Sequence, residues 1–239
     1  MQIIKLNAID STNRYLRDLV SEILLEDFAV VVAKYQTHGR GQRTTTWQSE
    51  KDKNLIISVL KKDISVNIEH QFLLSIAVSL ALYKTLEAFQ IPNLSIKWPN
   101  DILSRHSKIA GILIELVTKK NKIDHAIIGV GLNVNQTEFD QLPRASSLKK
   151  ITGIHYDLDE LLYKLLENLK HFLNTNDHEQ LRNSYEQFLF RKDKPSTFVD
   201  TNGVSFSGII EGVSKGGKLR VKTENSVEEF DLKSIQLLY

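Results

Sequence analysis

Apolar residues follow a helical period soon after the start of the chain. Tyr15, Leu16, Leu19, Val20, Ile23 and Leu24 recur on one face, and the cap-forming run Asp10-Ser11-Thr12-Asn13 stands ahead of them. The β-branched run over residues 28–33 predicts a strand, as does the apolar run over 54–60. Residues 70–90 are apolar nearly all round and predict a buried helix. A further strand over 95–98 must stop at Pro99, which cannot donate to a ladder. Two longer apolar strands, 109–117 and 126–134, are separated by the polar turn 118–121. Leu158, Leu161, Leu162, Leu165, Leu166, Leu169 and Leu173 trace one helical face, with Asp157 and Glu160 as its capping pair. A second helix is expected from about Asp177 to Phe190. Beyond Arg191 the period shortens: Thr201-Asn202-Gly203 and Ser214-Lys215-Gly216-Gly217 are hairpin signals among strands at 205–213, 218–223 and 227–232. This part predicts a small all-β barrel, so the expected organisation is one unit over 1–190 and a second over 191–239.

Composition narrows the function classes. The chain has 239 residues, 41% hydrophobic and 25% charged, enough apolar material for a sizeable core. Its 31 basic and 29 acidic side chains leave a net charge of +2. A balance that close argues against nucleic-acid or membrane-surface binding, which shows as a basic excess. Cysteine is absent, which excludes disulfides, thiolate metal sites and a cysteine nucleophile. The N-terminal residues lack the basic start and long apolar stretch of a signal peptide. Ser75, Ser79, Lys84 and Glu87 interrupt the most apolar stretch, so it reads as a core helix rather than a membrane span. A cytoplasmic location follows as the expectation. The histidines show no metal-ligand spacing.

Four blocks carry candidate chemistry. In Gly39-Arg40-Gly41-Gln42-Arg43-Thr44-Thr45-Thr46-Trp47, the glycines let backbone approach a ligand and Arg40 and Arg43 can fork onto anionic oxygens. Trp47 suits either the core or stacking on a base. In Lys97-Trp98-Pro99-Asn100-Asp101, Asp101 could bind Mg²⁺, accept a proton, orient an amine or cap the next element. Lys108, ahead of Ile109-Ala110-Gly111-Ile112-Leu113-Ile114-Glu115, is either a snorkelling surface cation or one aimed into a pocket. Gly111 favours the pocket, because glycine inside a strand marks close approach. Gly129-Val130-Gly131-Leu132-Asn133 repeats that signal and adds an amide; no third glycine opens a helix behind it, so it is not a dinucleotide fingerprint.

Taken in order, these blocks and the Ser11-Thr12-Asn13 start resemble the biotin protein ligases, in the superfamily shared with lipoate ligases. The resemblance covers essentially the whole chain, and Lys97 to Asp101 is its most specific part. It implies an α+β fold: a mixed sheet flanked by helices, as in class II synthetase and biotin ligase-like catalytic domains, with a small C-terminal SH3-like β-barrel. It also implies a two-step reaction. Biotin and ATP, with Mg²⁺, give biotinyl-5′-adenylate, and the acyl group passes to a lysine of a biotin carboxyl carrier domain.

Carried over residue by residue, Lys108, Arg40 and Asp101 resemble the catalytic groups. Ser11, Thr12, Gln36, Gly39, Arg40, Lys108, Gly111, Leu113, Gly129 and Gly131 resemble biotin contacts. Arg40, Arg43, Trp47, Asn133 and Lys108 resemble adenylate contacts. Asp101 is the one side chain offered for a metal. Where many members carry arginine or glycine, this chain has Gln42, Thr44 and Thr45, so its loop is less cationic. Some relatives carry an N-terminal helix-turn-helix repressor domain; this chain starts at the catalytic region, so no DNA-binding role is expected. A homodimer stays open. The rivals are a lipoate ligase with a longer aliphatic pocket, and a non-catalytic carrier- or nucleotide-binding relative that would have lost Lys108 or Asp101.

Overall fold

The computed structural model describes residues 1–42, 45–140, 142–232 and 234–239. Its elements run β1 (Ile3–Leu6), α1 (Thr12–Glu22), β2 (Val30–Ala33), β3 (Leu55–Lys61), α2 (Phe72–Ala88), β4 (Leu94–Lys97), β5 (Asp101–Ser104), β6 (Ser107–Lys119) and β7 (Lys122–Leu132). Then come α3 (Leu148–Thr152), α4 (Leu158–Leu173), α5 (His178–Gln187), β8 (Pro195–Asp200), β9 (Ser205–Val213), β10 (Leu219–Lys222), β11 (Val227–Phe230) and β12 (Ile235–Leu238). The first seven strands form one mixed sheet in the order β1-β2-β3-β7-β6-β5-β4, with β1 and β2 parallel and the rest antiparallel. The last five form an antiparallel sheet in the order β11-β10-β9-β8-β12. The architecture is α+β, a mixed sheet flanked by helices with a second all-β part.

The periodicities account for most elements. Asp157 caps α4 as expected, accepting from the backbone N–H groups of Asp159 and Glu160. The β6–β7 turn is shorter than the expected 118–121: Thr118 and Lys119 still pair with β7, and Lys120 and Asn121 alone turn the chain, at φ 51° and 60°, the left-handed pair of a two-residue turn. Asp101 opens β5 and pairs with Lys97 across a tight turn at 98–100. The short elements β1, β5, β8, β12 and α3 were not predicted.

The two faces of the large sheet are filled differently. α2 is buried along most of its length, lying between the sheet and the helices α4 and α5 in the main core. The opposite face is covered by α1 over a smaller cluster of Leu16, Leu25, Ala29, Val31, Leu60 and Ile127. α1 covers only part of that face, because the chain enters the helix at Thr12. Beyond its first turn the sheet carries glycines and is open. That uncovered end is where the site forms.

The second sheet docks through the most specific block of the sequence. Trp98 Nε1 donates to the Gly217 carbonyl at 2.9 Å. Arg182 donates to the Ser214 carbonyl at 2.7 Å, and Glu186 accepts from Val213 N–H at 2.9 Å.

Candidate active site

Strand register decides what the open face presents. Side chains of paired residues share a face, and alternate positions along a strand return to it. One row across β3, β7 and β6 is Ser58, Gly129, Leu113; the next, reaching β5, is Ile56, Gly131, Gly111, Asp101. Gly129, Gly131 and Asn133 therefore lie on one face of one strand, spanning roughly 13 Å. The glycines leave a trough with no side chains in it, and Asn133 stands at its far end.

Parity alone would turn Lys108 away from this trough, since it is three positions from Gly111. The β5–β6 ladder carries a bulge: Ile102 pairs with Ala110, but Leu103 pairs with Lys108. The extra residue, Ile109, resets the alternation and re-aims the lysine. Lys108 Nζ lies 2.6 Å from Asp101 Oδ1 and 3.3 Å from where a Cβ on Gly111 would stand. Asn100 fixes the preceding turn on β6, donating to the Ile112 carbonyl at 2.7 Å while its own carbonyl accepts from Ile112 N–H at 3.0 Å.

Residues 39–42 and 45–47 close over the trough. Arg40 and Thr46 bridge, and Trp47 N–H donates to the Gly39 carbonyl at 2.9 Å. A Cβ on Gly39 would stand 2.3 Å from the Trp47 carbonyl oxygen, so only glycine allows the loop to double back. Trp47 lays its ring on the trough: a Cβ on Gly131 would come within 2.4 Å of it and one on Gly111 within 3.2 Å. Its buried Nε1 has no partner among the described residues.

The result is a pair of adjoining cavities. The first, of about 250 Å³, is bounded by Ser11, Thr12, Gln36, Arg40, Gly129 and Leu113 at one end and by Trp47, Lys108, Asp101, Gly111 and Gly131 at the other. The second, of about 330 Å³, shares Trp47, Lys108 and Asp101 and adds Asn133 and a loop bearing Phe139, Leu142 and Arg144. Asn133 donates to the Ser146 carbonyl at 3.0 Å, while its buried Oδ1 has no partner among the described residues. Gly39 lines a separate outer pocket rather than the first cavity. Arg43 lies outside the described residues.

A polar cluster without an obvious sequence signature anchors the first cavity. Gln36 Oε1 accepts from the Thr12 backbone N–H at 2.8 Å and from its hydroxyl at 3.1 Å. Ser58 Oγ donates to Asn13 Oδ1 at 2.6 Å and lies 2.8 Å from Thr12 Oγ1. Asn13 Nδ2 donates to Glu115 Oε2 at 2.8 Å. Glu115 also pairs with Arg17 and holds Arg40 at 3.6 Å. Ser11 makes no side-chain cap at α1, so its hydroxyl is left at the cavity. Arg17 and Ser58 lie outside the sequence motifs, while Asn13 and Glu115 stand within them but carry no expected role. Their spacing in sequence gives no hint that they meet.

The arrangement can hold a carboxylate and a phosphate together. Arg40 and Lys108 reach one cavity from different strands and loops, each tethered to a carboxylate. Ser11, Thr12 and Gln36 offer hydrogen-bonding groups at the far end. Among the described residues, no group of three His, Asp or Glu side chains is placed to hold a metal, and no helix is long and apolar enough to cross a membrane.

Comparison with known proteins agrees with this geometry. The sequence profile of the biotin/lipoate A/B protein ligase family matches residues 6–133, more than half of the chain. The bifunctional ligase/repressor BirA of Salmonella typhimurium is 29% identical over 234 residues, 93% of this chain and 70% of that protein. The biotin–[acetyl-CoA-carboxylase] ligase of Paracoccus denitrificans is 29% identical over 221 residues, 88% of this chain and 90% of that one. The structure of a biotin protein ligase from Aquifex aeolicus in complex with biotin and ATP superposes with a TM-score of 0.83 at 27% identity, covering 99% of this chain and 98% of that one. The matched profile, over more than half of its length, places this chain in the biotin/lipoate A/B protein ligase family.

Proposed function

We infer that this chain is an ATP-dependent biotin–[biotin carboxyl carrier protein] ligase. It condenses biotin with ATP to biotinyl-5′-adenylate and pyrophosphate, then transfers the biotinyl group to a carrier lysine. The observation that carries this reading is the pair of cavities meeting at Lys108, with Arg40 at the first and Asn133 at the second. The bicyclic head of biotin fits beside Ser11, Thr12 and Gln36, with its tail along Gly129, Leu113 and Gly131. The carboxylate then arrives at Lys108. The adenine occupies the second cavity, where the unpartnered Asn133 Oδ1 accepts from its exocyclic amine and Trp47 offers a ring face. A catalytic unit over residues 1–190 and a second unit over 191–239 complete the reading.

The first step joins two anions. A carboxylate is ionised near neutral pH, so the step needs cations rather than a base. Arg40 and Lys108 supply them, exchanging Glu115 and Asp101 for substrate oxygens. Mg²⁺ enters with the phosphates of ATP; Asp101 already pairs with Lys108, and the described residues form no cage of their own for the ion.

The second step needs a neutral amine, and a free lysine is neutral only to about one part in 2,500 at pH 7. Once substrate engages Lys108, Asp101 faces the adenylate carbonyl and can orient the incoming amine or take its proton. Asp101→Asn is expected to slow transfer from preformed adenylate about tenfold to a hundredfold in single turnover. An unchanged transfer rate removes that role.

A lipoyl ligand is the alternative within the family. It would bring an aliphatic chain and a disulfide against the polar end built by Thr12, Gln36 and Ser58, which disfavours it. Incubating the chain with ATP, Mg²⁺ and either biotin or lipoate, and weighing the acyl-adenylate by mass spectrometry, decides between them. Lipoyl-adenylate in place of biotinyl-adenylate defeats the assignment.

A further inference from the structure

The second cavity is closed by a residue from the far end of the sequence. Tyr239 follows β12, an edge strand of the C-terminal sheet, yet its ring lines the cavity beside Arg144 and Leu142. Several groups grip that ring. Arg144 Cζ stands 4.6 Å from its centroid and Lys97 Nζ 5.2 Å. Phe190 packs edge-on with centroids 4.9 Å apart.

Arg144 is joined to the centre of the site through backbone. Lys108 N–H donates to the Arg144 carbonyl at 2.7 Å, and Ser146 N–H donates to the Lys108 carbonyl at 2.9 Å. Among the described residues Arg144 forms no ion pair, so the face of the Tyr239 ring is what fixes its guanidinium. A fixed cation without a counter-charge, at the mouth of a cavity with an orphaned acceptor at its base, suits a purine nucleotide with its phosphates turned outward.

We propose that Tyr239 is a positioning residue for the nucleotide: its ring completes the outer wall of the second cavity and holds Arg144 at the rim. This rests on reading that cavity as the nucleotide chamber. It makes docking of the C-terminal sheet, through Trp98 to Gly217, a condition for tight nucleotide binding.

The test uses the full chain and adenylate formation, with calorimetric binding of a non-hydrolysable ATP analogue. Tyr239→Ala should raise KM for ATP about threefold to fivefold, the scale of an exposed cation–π contact. KM for biotin and the unfolding midpoint should stay close to wild type. Tyr239→Phe, which keeps the ring, should behave as wild type. Arg144→Ala should reproduce the ATP effect, and the double variant should be no worse than the more damaging single one. The proposal is overturned by an unchanged KM for ATP in Tyr239→Ala. It is also overturned if both KM values rise together with a fallen midpoint, which marks an undocked sheet, or if the two substitutions add. Analogue binding by wild type and Tyr239→Ala alike removes this inference alone. A wild-type chain that binds biotin but no nucleotide removes the chamber reading with it.

Discussion

Lys108→Ala is expected to lower the rate of biotinyl-adenylate formation by about a hundredfold to a thousandfold, the cost of deleting one preorganised charge aimed at a developing oxyanion. Among the described residues, Lys108 is the one cation bordering both cavities. Carboxylate and α-phosphate must approach within bonding distance there, and Arg40, tethered to Glu115 at the first cavity, cannot take its place. The fold should survive. The side chain is 36% exposed, and Asp101, left without its partner, can be reached by solvent once the ammonium is gone. The unfolding midpoint should move by no more than about 2–4 °C. Pyrophosphate release at the wild-type rate from a folded Lys108→Ala chain would remove the lysine from the chemistry. Lys108→Arg separates charge from shape: the ammonium sits 3.3 Å from the Cβ position of Gly111, leaving little room for a planar fork, so the arginine variant should recover only part of the rate.

The sequence showed which blocks carry the chemistry and left open how they face one another. The long periodic elements α1, α2 and α4 were legible, because amphipathic or apolar repeats over several turns outweigh local noise. Short strands such as β1 and β12 were not, since four residues carry too little pattern and are fixed by their ladder partners. Glycines 111, 129 and 131 could be read as places of close approach. Their sharing one trough with Asp101 depends on register, a long-range property.

Lys108 is the sharpest case. Its type favours a snorkelling surface cation and Gly111 favours a pocket cation, while simple alternation would have favoured the wrong face. The bulge at Ile109 decides the matter, and nothing in Lys108-Ile109-Ala110-Gly111 announces it. That Asn13, Ser58, Glu115 and Arg17 meet was hidden for a different reason. Each is an ordinary polar residue whose role appears only when α1 lies across β3 and β6.

That cluster sets the second large effect, at Gly129. A Cβ there would stand 2.4 Å from Asn13 Oδ1, well inside contact distance. A flexible neighbour could retreat, but Asn13 is held on every side. Its Oδ1 accepts from Ser58 at 2.6 Å, its Nδ2 donates to Glu115 at 2.8 Å, and its backbone lies in the first turn of α1. Gly129→Ala must therefore lift the N-terminus of α1 or rotate the amide, breaking the buried Ser58–Asn13 hydrogen bond at about 1–3 kcal/mol. Either movement displaces Ser11 and Thr12 from the biotin end of the cavity. Biotin affinity should fall about thirtyfold, equivalent to roughly 2 kcal/mol, together with a lowered unfolding midpoint. Gly216→Ala is the matched control, because its Cβ would meet nothing nearer than 4.0 Å and should change neither quantity. Titrating biotin into both variants by calorimetry, alongside thermal melts, measures the difference. Wild-type biotin affinity in a stably folded Gly129→Ala chain would mean that the ligand does not lie along this strand at all.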